Sequence, residues 1–126
     1  MNYAAFPTPS SPTPDAHILD ENLSLTSVAN ALLACHARGA DGQTMLTMCE
    51  RLLSVAEREL LERERRMMAI GDPELANHVR RHGDMLLVLG RQVRDSRRSA
   101  APPSPTFITY ISSMVERMRA ANAEAA

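Results

Sequence analysis

MMAIGDPELANHVRRH, residues 67–82, holds the turn that divides the chain and the two histidines that give it its chemistry. Gly71 stops a long helical pattern, and Asp72-Pro73-Glu74 starts the next. An N-cap acid, a proline at the first helical position and an acid in the positive first turn form a strong start signal. The helix that follows is expected to run to about Arg97, with Leu75, Val79, Leu86, Leu89 and Val93 as its apolar stripe. At about 100° per residue from Leu75, His82 falls near -20° and His78 near -60°, so both point to the core or its edge. Two imidazoles one turn apart on one face can grip one metal ion or two neighbouring ones.

Upstream, a helix from Asp41 or Gly42 to Ile70 carries the stripe Met45, Met48, Cys49, Leu52, Ala56, Leu60, Met67 and Ile70. Glu59 and Arg63 fall on that stripe, an i,i+4 charged pair that is costly at a core face unless fully satisfied. Glu59 lies about as far before the Gly71 turn as His82 lies after it, which puts Glu59 and Arg63 at the level of the histidines. Two readings of this inward polar cluster stand. In one, His78 and His82 grip a metal ion. In the other, a Glu–Arg–His hydrogen-bond network is satisfied without any metal.

Working outward, a first helix is expected over Asp20–Arg38, capped by Asp20 and stopped by Gly39, with Leu25, Val28, Ala29, Leu32 and Cys35 on one face. A fourth is expected after Ser104, with Pro105 at its first position, a stripe of Phe107, Ile111, Met114 and Met118, and an end near Ala120. Gly83 and Gly90, inside the third helix, are read as points of close helix approach. Residues 1–16 form a tail whose proline-rich stretch PTPSSPTP, 7–14, has no apolar surface to bury. Residues 17–126 are then one domain. Four helices with short connections predict an all-α, up-down-up-down four-helix bundle.

Composition agrees. Apolar residues are 44% of the 126 and aromatics 3%, so the core must be built from aliphatic side chains and Met. The net charge of -1 interleaves acids with arginines, giving no field for nucleic acid. No apolar run reaches the length of a membrane span, and no secretory leader is visible, so a cytoplasmic location is expected. Cys35 and Cys49 form no CxxC pair and read as small core or boundary residues. No phosphate loop, haem-attachment motif or nucleophile–base pattern occurs, so the expectation is a binding protein and not an enzyme.

The residues 67–82, with LLSVAERELL at 52–61 before them, resemble the middle of the hemerythrin-like proteins. The Gly71-Asp72-Pro73 turn and the His78/His82 pair carry the likeness. It implies a four-helix bundle around non-haem iron that binds or senses O₂. In that alignment Glu59 stands where the family has a histidine ligand and Arg63 where it has a bridging glutamate. The first-helix ligand has no counterpart at Asn22 or Leu25, and Met118 is the nearest fit to the fourth-helix one. The likeness therefore implies a degenerate metal site, in which His78, His82 and Glu59 hold a single ion, iron or zinc. The alternative is a metal-free helical module that binds a protein partner in signalling or regulation.

Overall fold

The computed structural model describes residues 24–99 and 101–125. The expected tail at 1–16 and the expected cap Asp20 lie outside them. Four helices follow one another: α1 Leu25–Ala37, α2 Gly42–Ala69, α3 Leu75–Ser99 and α4 Pro105–Ala125. No strand occurs among the described residues.

Side chains set most of the boundaries. Ser24 opens α1: its Oγ accepts from Ser27 N at 3.0 Å, while Ser27 Oγ accepts from Ser24 N at 3.1 Å. This reciprocal box satisfies two backbone donors that the first turn leaves free. Asp41 accepts from Thr44 N at 2.8 Å to start α2, and Ser104 from Phe107 N at 3.2 Å to start α4. Gly39 and Gly71, at φ 74° and 66°, take the left-handed conformation that ends α1 and α2. The α3 start is later than expected. Asp72 accepts from Glu74 N at 2.9 Å, and the regular helix begins at Leu75. At the other end α4 continues past Ala120 to Ala125.

Helix α2 packs on both α1 and α3, and α4 rests mainly on α1, an arrangement compatible with a four-helix bundle. Glu50 and Arg97, joined at 2.8 Å, tie the start of α2 to the end of α3, so these two run antiparallel. The core gathers Leu32, Met45, Cys49, Leu52, Leu89, Ile111 and Met114, each at most 1% exposed. Burial lifts the Cys49 thiol to about 11, so it sits in the core as an inert apolar group.

Three expectations about faces are corrected. The inward face of α3 runs through His78, His82, Met85, Leu89 and Val93, rotated from the expected stripe, and Val79 is 48% exposed. Its centre lies about 40° from Leu75, because α3 turns the histidine side and not the Val79 side toward its neighbours. Ile70 is not part of the α2 core face; it sits at the helix end and is 77% exposed. Gly83 and Gly90 do not mark close approach, since a Cβ at either would meet nothing within 4 Å.

The rotated face has a measurable signature. Leu89→Ala should lower unfolding stability by about 2–5 kcal/mol, as for a fully buried leucine. Val79→Ala should change it by no more than about 0.5 kcal/mol, as at exposed positions. Denaturant melts of the two variants compare them directly. A loss at Val79 as large as that at Leu89 would restore the expected stripe.

Candidate metal centre

Burial of His78 and His82 follows from the rotation of α3. They are 7% and 8% exposed and one turn apart, with ring centroids 3.4 Å from each other. Their shared neighbour is Glu64 of α2. Its Oε2 lies 2.8 Å from His82 Nδ1 and 3.7 Å from His78 Nδ1. The shorter contact is a hydrogen bond; the longer one is beyond hydrogen-bond reach. One donor atom from each of the three residues lies within 4.8 Å of the others, close enough to hold a metal ion.

His78 is the anomaly of the cluster. Both its ring nitrogens are buried, and neither has a hydrogen-bond partner. An imidazole left like this costs about 1–3 kcal/mol in lost hydration. His82 is better served, since Glu64 takes up its Nδ1 and the described side chains leave Nε2 free.

Burial is the main force on both titrations. It pushes the His78 pKa down, helped by the neighbouring His82 and the Arg63 guanidinium, with Glu64 opposing. For His82 burial again lowers the pKa, against the upward pull of the hydrogen bond to Glu64. Both rings are therefore held neutral at pH 7, the form that binds metal. The donor set suits such an ion: two imidazoles and a carboxylate, needing contraction to donor–donor distances of about 3.4 Å for tetrahedral geometry.

The expected residues divide. His78 and His82 come together as expected. Glu59 sits elsewhere: its Oε2 accepts from Leu25 N at 2.9 Å, so an acid of α2 caps the start of α1. No carboxylate of that first turn competes for the role. Arg63 is exposed and forms no ion pair with Glu59. Glu59 and Arg63 do share a level with His82, lining one cleft with it, but the carboxylate that reaches the imidazoles is Glu64, nearer the turn. Counted along the helices, His78 and His82 lie about 4.5 and 10.5 Å from the α3 start, and Glu64 about 7.5 Å from the α2 end. Glu64 thus stands between them, whereas Glu59 is about 15 Å up its helix. Counting residues about Gly71 pairs Glu64 with His78 and Glu59 with His82, so it does not by itself single out Glu64. His36 is exposed on α1, and His17 lies outside the described residues.

Neutral buried histidines make stability depend on pH in a known direction. Unfolded histidines bind protons below about 6.5, and these folded ones resist them, so acidification favours the unfolded chain. In metal-free protein, stability should fall as pH drops from about 7.5 through 6.5 and below. The double variant His78→Ala plus His82→Ala should show a flatter profile over the same window in denaturant melts.

No protein-family model, curated protein or solved structure matches the chain.

Proposed function

We propose that the chain is a metal-binding helical bundle in which Glu64, His78 and His82 hold one divalent transition-metal ion, iron or zinc. The observation that carries this reading is His78, whose two buried nitrogens have no partner among the described residues. Three protein donors leave further coordination positions for an exogenous ligand, the arrangement of metal sites that do more than staple a fold. A role in binding or sensing a small ligand follows from it. Kinship with the hemerythrin-like proteins is part of the proposal, supported by the Gly71-Asp72-Pro73 turn and the His78/His82 spacing on a bundle helix. Within that kinship Glu64 takes the carboxylate role first expected of Glu59, and a single-ion site replaces a paired one.

A metal-free protein-binding module is the rival. The 2.8 Å Glu64–His82 hydrogen bond favours it, because that imidazole is satisfied without an ion. Exposed Leu61, Met68 and Leu87 would supply apolar surface for a partner. It leaves His78 unexplained.

Metal analysis after iron or zinc loading separates the two. The unmutated protein should retain close to one ion per chain. His78→Ala and Glu64→Gln should each weaken retention by at least about tenfold, whereas Glu59→Gln should leave it unchanged. Retention far below one ion per chain in the unmutated protein would leave the rival standing. Equal losses at Glu59 and Glu64 would return the site to the position expected from sequence.

A further inference from the structure

A cleft of about 550 Å³ opens beside the cluster, and His82 is their common wall. Its other walls come from all three remaining helices: the first turn of α1, Leu60 and Arg63 of α2, and Met118 of α4, with Met85 beside His82 on α3. The volume falls within the range of small-molecule pockets. We propose that this cleft binds a small organic carboxylate with a short aliphatic body, its carboxylate on Arg63 and its body along Leu60, Met85 and Met118.

Charge decides the sign of the ligand. Among the described residues Glu59 is the acid of the lining, and its Oε2 is engaged by Leu25 N at 2.9 Å, at the positive end of α1. Arg63 is the arginine of the described lining, and no described carboxylate lies within ion-pair distance of it. An unmatched guanidinium fork beside a matched carboxylate favours an anion, and a planar carboxylate fits the fork with two parallel hydrogen bonds. The three apolar side chains set the other half of the ligand. Two are methionines, whose unbranched thioethers adapt to an aliphatic chain. Thr26 Oγ1, 3.5 Å from Met118 Sδ, fixes the sulfur at the α1–α4 wall. A purely inorganic anion would leave that apolar floor unused.

This site stands on the cleft and on Arg63, beyond the metal reading and independent of it. His82 is shared between the cleft and the cluster, so metal loading and carboxylate binding would be linked wherever both occur.

The probe is hexanoate, with hexylamine and hexanol as matched controls, titrated into the full chain while amide and methionine methyl resonances are followed. Hexanoate should give saturable shifts at Thr26, Arg63, Met85 and Met118. Hexylamine and hexanol should bind at least about tenfold more weakly, and Arg63→Gln should cost hexanoate about tenfold or more. Arg63 is exposed, so this variant folds, and an unchanged melting profile verifies it. His78→Ala should lose metal yet keep hexanoate binding, which separates failure of the metal centre from failure of the cleft. Absence of saturation by about 20 mM hexanoate, equal binding of the amine, or an unaffected Arg63→Gln variant would each overturn the proposal.

Discussion

The register between α2 and α3 is the constraint on which the site depends. Five residues, Ile70 to Glu74, reverse the chain, and the left-handed Gly71 permits the reversal. Glu50–Arg97 closes the far end of this helical hairpin, and Glu64–His82 closes the near end. A shift of one residue in α3 would turn its side chains by about 100° and take the histidines off the inward face. The same register puts Glu64 between the two imidazoles. The turn, the salt bridge and the candidate centre are one geometric fact seen at three heights.

Polar groups in a core are expensive, and this chain meets the cost locally. At the bottom of the hairpin the cluster replaces aliphatic packing with two imidazoles and a half-buried carboxylate. The aliphatic core begins above it at Leu60 and Leu89 and spreads toward α4 through Ile111 and Met114. Glu59 shows a second solution to the same problem. An acid near the core face is satisfied by the backbone of a neighbouring helix, and it fastens the first turn of α1 to α2 in doing so. Sequence alone offered Arg63 as its partner, a contact four residues away on the same helix. The cross-helix donor was better placed because it meets the carboxylate in a partly buried setting, while Arg63 reaches water.

Helices were legible from the residues because their caps are local. Asp41, Ser104, Gly39 and Gly71 signal boundaries within a few positions of themselves. The exception, Ser24, is a Ser–Ser box, a less familiar pattern than a cap followed three residues later by Glu. The histidine pair was legible for a similar reason, since i,i+4 spacing on a helix decides adjacency by itself. Their carboxylate partner was not. It depends on which side of α2 meets α3 as well as on height along the helix, and at the level of the imidazoles that side carries Glu64. A helix with neighbours on two sides also has a contact surface wider than one stripe. Glu64 sits on the flank that meets α3, outside the stripe read from the apolar residues.

The glycines of α3 have a consequence for motion. Gly83 and Gly90 face open space, so they add backbone freedom to the histidine helix and contribute no packing there. The packing of α3 against its neighbours lies on its inward side. An ion or small molecule bound on that side, as proposed, would raise the free energy of local opening there. Amide hydrogen exchange along Leu75–Ser99 would then act as a built-in gauge of occupancy, slowing when the inner face is filled and quickening when it is empty.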